Sequence, residues 1–237
     1  MNVTCVFAHQ DDERSCMATL LRLRRERDAR ITLVIVTNGE LGASWDPDRP
    51  LAEVAAVRER EMQAVAAALD ADYVCLGRRD GFLYEDAELR TELTEVLRAA
   101  RTELVFTHAL EEYNDDHVVT GRATRQAALA AEIASVRTRS DALGKAPAIF
   151  HIDPGPGHGF EPTHFVSYEE EIAREKARIL ALHESETAVM GELFGSDWVE
   201  LTLAADRLRG ARLPAPYAEG FTPCLLERRI PMPGMLP

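Results

Sequence analysis

The sequence has few cysteines, and they are far apart. The four lie at Cys5, Cys16, Cys75 and Cys224, without a Cys-x-x-Cys pair. This spacing argues against a disulfide framework and against a thiolate metal site, since metal-binding cysteines usually come in closely spaced pairs. We therefore expect reduced, mostly buried thiols.

Positive charge is also in short supply. Lys and Arg total 27 against 40 Asp and Glu, a formal net charge of −13. Such a chain repels phosphate groups, which argues against nucleic acid or an anionic membrane as a general partner. Residues 1–13 lack a cationic segment followed by a long apolar run, so we predict no signal peptide and no transmembrane helix, and expect a cytoplasmic protein.

Internal repeats, low-complexity tracts and long linkers are also missing. Hydrophobic residues make up 46% of the chain and charged residues 28%, which is enough apolar material for a continuous core. We predict one domain over residues 1–237, with a Rossmann-like core at 1–150. Residues 151–237 would form an active-site loop, late helices and a carboxyl-terminal wrap. The sequence leaves the oligomeric state open, and a homo-oligomer is compatible with it.

Apolar runs alternate with helical patterns through the first 150 residues. The runs at 3–8 and 31–37 are rich in β-branched residues and predict buried strands, and residues 12–27 between them have helical spacing. This βαβ unit predicts parallel strands. Further strands are predicted at 73–76, 103–107 and 148–150, and helices at 51–69, 87–101 and 118–136. The pattern indicates an α/β fold with a Rossmann-like, mostly parallel sheet flanked by helices.

After residue 150 the alternation of strand and helix patterns stops. Glycine and proline interrupt residues 151–165 and predict a shaped loop. Ser167 and Glu170 have the spacing of a capping box, which predicts the start of a helix there. The proline-rich last 25 residues are predicted to wrap the surface.

Ionisable side chains are concentrated where the first predicted strand ends, in Ala8-His9-Gln10-Asp11-Asp12-Glu13. Ligands of open α/β sheets bind outside the carboxyl ends of the strands. His9 and Asp12 offer a nitrogen and an oxygen ligand for a divalent metal, and Asp11 can act as general base. Alternatively, Asp11 and Asp12 cap the helix and His9 packs against it.

A second polar cluster follows the strand that ends near Thr107. It covers residues 107–117, and His117 is placed at the start of the next helix. Because parallel strands end at the same edge of the sheet, His117 can supply a third ligand to the same metal. The alternative is that His117 caps the helix while Asp115 and Asp116 form a solvated turn.

These two clusters resemble the motifs AHPDDE and HPDH of the LmbE-like, or PIG-L, family of zinc-dependent N-deacetylases. The resemblance implies metal ligation by His9, Asp12 and His117, with Asp11 as the catalytic base. By the same analogy, Arg58 and Asp80 contact the substrate; a surface ion pair is the alternative for Arg58. Weaker similarities follow in order: a TDGE-type turn at 37–40, an RxxE pattern at Arg58 and Glu61, a loop at 76–81, and a KxxxLxxHxSQ-type helix at Lys176 and 182–185.

The chain departs from the family pattern at Gln10, where proline is commoner, at Ser167, where aspartate is commoner, and at Asn114, where the second motif begins with histidine. An amide can donate a hydrogen bond to a developing oxyanion but cannot titrate. The proton for the leaving amine must then come from Asp11 once protonated or from another histidine, for which His158 is the candidate. An ordinary surface or core role is the alternative for each of His158, His108, His151 and His164.

The resemblance implies a hydrolase that removes the N-acetyl group from an amino sugar, a GlcNAc-type glycoside or conjugate, as its small-molecule partner. The expected cofactor is Zn²⁺, although the ligand set also suits Fe²⁺ or another divalent metal. One alternative is an amidase of the same family acting on a thiol-conjugated or other glycosyl amide. A non-hydrolytic Rossmann-type nucleotide-binding protein is disfavoured because GxGxxG does not follow the first strand.

Overall fold

A seven-stranded sheet in the order β3-β2-β1-β4-β5-β7-β6 forms the centre of the molecule. The computed structural model describes residues 1–44, 46–155, 158–225, 228–234 and 236–237. The strands are β1 (Asn2–Phe7), β2 (Arg30–Thr37), β3 (Asp72–Arg78), β4 (Leu104–Thr107), β5 (Ala148–Ile152), β6 (His164–Tyr168) and β7 (Tyr217–Pro223). The helices are α1 (Met17–Arg27), α2 (Leu51–Leu69), α3 (Ala87–Ala99), α4 (Asp115–Ala131), α5 (Glu170–Leu180), α6 (Glu184–Phe194) and α7 (Trp198–Gly210), with a 3-10 helix at Asp12–Ser15.

The first five strands are parallel, and β1 lies at their middle. Val3 of β1 is in register with Ile31 of β2 on one side and Leu104 of β4 on the other. The carboxyl ends of β1 and β4 therefore lie side by side at one edge, which brings the two polar clusters together. The predicted mostly parallel α/β fold is confirmed.

Both faces of the sheet are covered at its middle, which explains why β1, β2 and β4 are largely apolar and buried. Phe7 points into a core that also holds Leu20 and Met62 of α1 and α2. Val6 points to the opposite face, into a second core with Leu93 of α3. Burying a large apolar side chain stabilises the fold by about 1.5–3 kcal/mol. None of the helices in the described ranges is both long and apolar enough to cross a membrane.

Two predictions for the carboxyl-terminal part were wrong. Ser167 lies within β6, paired with Ala218 of β7, and Glu169 precedes α5 without a side-chain cap. The stretch Tyr217–Pro223 is not a surface wrap but a strand between β5 and β6, antiparallel to both, with Phe221 fully buried. In both cases pairing with a distant strand decides the conformation, and such pairing cannot be predicted from the local sequence pattern.

The bounds of the helices around the two clusters also differ from prediction. A 3-10 helix at Asp12–Ser15 precedes α1, which starts only at Met17. The fourth helix starts at Asp115, three residues earlier than predicted, because the Asn114 side chain accepts a hydrogen bond from the Asp116 N–H and caps it.

Candidate active site

The structure brings His9, Asp12 and His117 together at the carboxyl edge of the sheet. His9 Nδ1 lies 3.1 Å from His117 Nε2, which lies 3.3 Å from Asp12 Oδ1. One ligand atom from each residue lies within 4.8 Å of the other two. His9 follows β1 and His117 is in the first turn of α4, so the parallel sheet itself creates this convergence.

Carboxylates on the far side of each imidazole decide which nitrogen is available to a ligand. His9 Nε2 lies 3.1 Å from Asp80 Oδ1 and 3.4 Å from Asp116 Oδ2, and His117 Nδ1 contacts Glu112. A ring N–H that points to a carboxylate leaves the other nitrogen as a lone pair. With both rings neutral, the lone pairs of His9 Nδ1 and His117 Nε2 would face each other and the Asp12 carboxylate. Three such donors repel one another unless a cation lies between them, so the donor set fits a divalent metal.

The electrostatic environment of this cluster also favours a cation. Burial by itself lowers the pKa of His9, but hydrogen bonds to Asp116 and Asp80 and the charge of Asp12 raise that pKa to about 10. Burial acts to raise the pKa of Asp12, but the neighbouring His117 and His108 hold it well below its usual range. A positive charge among these carboxylates is thus strongly stabilised, whether a proton or a metal carries it.

Asp11 lies beside this cluster on a backbone turn with φ of 150°, a conformation that non-glycine residues rarely adopt. Its Oδ2 accepts a hydrogen bond from Arg58 Nη2 at 3.2 Å, and the same nitrogen donates to Gln10 O at 2.7 Å. Arg58 is only 4% exposed. Its guanidinium therefore fixes the turn and the Asp11 carboxylate. We had predicted that Arg58 contacts the substrate, but it is buried behind Asp11 and is not among the residues that line the cavity.

Two glycines of the turn after β2 make room for Arg58. A Cβ atom on Gly42 would lie 2.6 Å from Arg58 Nη1. One on Gly39, whose φ is +67°, would lie 2.2 Å from Gln10 Oε1 and 2.9 Å from Arg58 Nε. The TDGE-like turn thus needs glycine for the close approach of a buried guanidinium as well as for its backbone angle.

A cavity of about 600 Å³ opens in front of the cluster. One wall is polar and belongs to the two motifs and their surroundings: His9, Asp11, Asp12, Arg14, Tyr113, Asn114, His117 and His158. The opposite wall comes from α6 and α7: Glu186, Met190, Phe194, Trp198 and Leu201. The cavity therefore joins a charged end at the metal ligands to an apolar wall, as in many small-molecule sites.

The remaining predicted site residues lie in different places. Asn114 lines the cavity, and because its Oδ1 accepts the Asp116 N–H, its Nδ2 group is left to donate to a ligand. His158 also lines the cavity, exposed, with its ring 4.5 Å from that of Tyr113. Asp80 is not part of the cavity lining; its oxygens contact His9 Nε2 and the Leu41 N–H, which supports an orienting role in place of substrate contact.

The other histidines have structural contacts. His108 is buried, accepts the Ala8 N–H at Nε2 and stacks on the His117 ring with centroids 3.9 Å apart. His151 Nδ1 contacts the carbonyl of His108 at 2.7 Å. His164 lies in β6, outside the cavity lining, against Thr163.

Sequence reasoning missed the groups that orient and enclose the site. Glu112 and Asp116 lie within the predicted second cluster, and a carboxylate close in sequence to a metal-binding histidine is a usable signal for an orienting partner. Arg14, which follows the first motif directly, and Glu186 had no assigned role. The apolar wall had no signal, because α6 and α7 lie far from both motifs in the sequence.

Comparisons with known proteins agree with this site. Residues 4–128, more than half of the chain, match the family model described as PIG-L: GlcNAc-PI de-N-acetylase. A probable N-acetyl-alpha-D-glucosaminyl L-malate deacetylase 2 of Bacillus anthracis is 27% identical over 197 residues, 79% of this chain and 82% of that protein.

Solved structures share the fold. N,N'-diacetylchitobiose deacetylase from Pyrococcus horikoshii is similar with a TM-score of 0.80 at 21% identity, over 94% of this chain and 83% of that one. GalB, the 4-carboxy-2-hydroxymuconate hydratase of Pseudomonas putida KT2440, is similar with a TM-score of 0.75 at 20% identity, over 95% and 97%. At these identities the likeness concerns the fold, and it is the match over residues 4–128 that places the chain in the PIG-L family.

Proposed function

We propose that this protein is a metal-dependent deacetylase that hydrolyses the N-acetyl group of a GlcNAc-type amino sugar. The observation that carries the proposal is the convergence of His9, Asp12 and His117 beside Asp11 at the end of a cavity. Membership of the PIG-L family and the glucosaminyl malate deacetylase relative support the reaction and the substrate class. Because a hydratase shares the fold, the fold by itself does not select the reaction.

His9, Asp12 and His117 would hold the metal. A divalent cation there supplies Lewis acidity and lowers the pKa of water, to about 7 in the case of zinc. Zinc is our proposal because two imidazoles and one carboxylate suit it, and Fe²⁺ is the alternative. Elemental analysis of the purified protein distinguishes the two.

Asp11 would be the general base. Its carboxylate lies on the cavity wall next to the ligands, where it can take the proton of the attacking water at Oδ1 while Oδ2 stays on Arg58. Asn114 would donate from Nδ2 to the carbonyl oxygen as negative charge develops on it. For the proton of the leaving amine, the sequence suggested two sources, Asp11 once it has taken the proton from water, or His158.

The test is acetate release from a panel of N-acetylglucosaminides, including a malate conjugate and a thiol conjugate, with metal-loaded protein. Asp11→Asn should keep its metal and lose about 10²–10⁴-fold in kcat. Asp115→Asn, a matched change of an exposed neighbour of the second motif, should leave kcat unchanged.

Two results would count against the proposal at different levels. If metal-loaded wild-type protein releases no acetate from any member of the panel, the deacetylase assignment is wrong. If Asp11→Asn is fully active with its metal in place, only the base assignment is wrong.

A further inference from the structure

A second carboxyl group faces Asp11 across the cavity. Glu186 lies in the first turn of α6, lines the cavity and has a side chain that is 17% exposed. Arg58 Nη1 lies 3.4 Å from its Oε2, and Arg58 Nη2 donates to Asp11 Oδ2 at 3.2 Å. One buried guanidinium thus contacts both carboxyl groups.

Two further carboxylates hold the first turn of α6 in place. Glu13 Oε1 contacts His183 Nε2 at 2.8 Å, and Glu61 Oε1 accepts the Ser185 N–H at 2.8 Å. Glu61 also accepts the Ser185 hydroxyl at Oε2. The late-helix motif therefore anchors α6 to the first motif and to α2, and Glu186 follows directly from this anchor.

The surroundings of Glu186 favour its protonated form. The charged groups that face it are Asp11 on the turn after β1, Arg14 in the 3-10 helix and Arg58 in α2, while α7 contributes the apolar Trp198 to the same wall. Burial and the charge of Asp11 raise the pKa of Glu186 against the opposing effect of Arg58, to about 7. At neutral pH this carboxyl group carries a proton in a substantial fraction of molecules.

We propose that Glu186 is the acid that protonates the leaving amine, an inference that rests on the proposed function. Asp11 takes a proton from water as the water oxygen bonds to the carbonyl carbon. The C–N bond then breaks, its electron pair goes to nitrogen, and nitrogen takes the proton from the Glu186 carboxyl group while the C=O bond re-forms. The products are acetic acid and the amine. The proton on Asp11 then passes to Glu186, which lines the same cavity and shares the Arg58 guanidinium, and this transfer restores both groups.

His158 is less well placed for this step. Its ring is exposed and lies against Tyr113, itself 58% exposed. Glu186 is instead held by Arg58, and the same guanidinium holds Asp11, the base whose proton must be recycled.

The experiment compares Glu186→Gln with wild-type protein on an N-acetyl amide and on para-nitrophenyl acetate, whose leaving group departs without a proton. For the amide, kcat should fall about 10²–10⁴-fold while KM and metal content stay unchanged. Wild-type kcat should decline as pH rises above about 7, where Glu186 loses its proton, and Glu186→Gln should lack this decline. The rate of ester hydrolysis should stay within a few fold of wild type, because that leaving group needs no proton. A structural defect would instead lower the rates of both reactions.

Two control variants make the result specific. Glu192→Gln removes an exposed carboxylate from the same helix and should behave as wild type. His158→Ala should keep the alkaline decline; if it loses the decline while Glu186→Gln keeps it, the acid is His158 and the proposal is wrong. Unchanged amide kcat in Glu186→Gln would overturn this assignment alone, whereas a metal-loaded wild type that hydrolyses no amide would overturn the proposed function with it.

Discussion

At the scale of the residue, the site depends on carboxylates that never face the cavity. Glu112 contacts His117 Nδ1, and its other oxygen lies 3.5 Å from His108 Nδ1. Burial acts to raise the pKa of Glu112, but the two imidazoles lower it. An ionised Glu112 keeps the Nδ1 proton on His117 and so keeps the Nε2 lone pair directed at the metal position.

We therefore expect Glu112→Gln to weaken metal binding by about 10–100-fold, because the amide holds the ring less firmly and lowers its basicity. Competition with a chelator of known affinity measures the effect. Glu111→Gln changes an exposed carboxylate next to it and serves as the control. Equal metal affinity in the two variants would show that Glu112 does not tune His117.

At the scale of the element, a buried charge cluster joins β7 to three helices. Glu219 of β7 accepts the N–H groups of Ala18 and Thr19 at the start of α1, at 2.8 and 2.7 Å. Lys176 of α5 is fully buried and donates to Glu219 at 2.7 Å and to Asp206 of α7 at 2.6 Å. Asp206 carries a pKa raised to about 6, because burial and the nearby Glu219 outweigh the effect of Lys176.

Removing the charge of Glu219 should destabilise the protein, since it leaves Lys176 short of a partner and two helix N–H groups poorly satisfied. We expect Glu219→Gln to lower the free energy of unfolding by about 3–5 kcal/mol. Urea denaturation measures the loss. Glu200→Gln, at an exposed position of α7, should change it by less than about 0.5 kcal/mol. A loss as small for Glu219 as for Glu200 would mean that the cluster does not stabilise the fold.

At the scale of the whole molecule, metal binding should be linked to global stability, because the ligands come from segments more than 100 residues apart. His9 and Asp12 follow β1, and His117 starts α4, so only the folded chain presents all three. A ligand that binds only the folded state stabilises it by an amount set by its free concentration relative to its Kd.

Zinc at about 100 times its Kd should raise the free energy of unfolding by about 2.7 kcal/mol. Thermal or urea unfolding with and without zinc measures the difference. His117→Asn should abolish the increase, whereas His164→Asn, outside the cavity lining, should retain it. An equal increase in both variants would place the stabilising zinc elsewhere.

The sequence by itself determined the parallel half of the fold and the position of the polar clusters. Strands buried on both faces must be continuously apolar, and the helices between them must keep an apolar stripe, so both leave a local pattern. The 51–69 pattern, for example, predicted the bounds of α2 without error. Parallel pairing then requires His9 and His117 to lie at the same edge of the sheet.

Only the tertiary structure decided what surrounds those clusters. The insertion of β7 between β5 and β6, the burial of Arg58 beneath Asp11 and the contact of Arg58 with Glu186 all depend on residues far apart in the chain. None of these three features has a periodic sequence pattern: β7 is a short strand with glycine and proline, and Arg58 and Glu186 are single charged residues in helices. Their roles follow from which distant groups they meet, which the packing of the chain alone establishes.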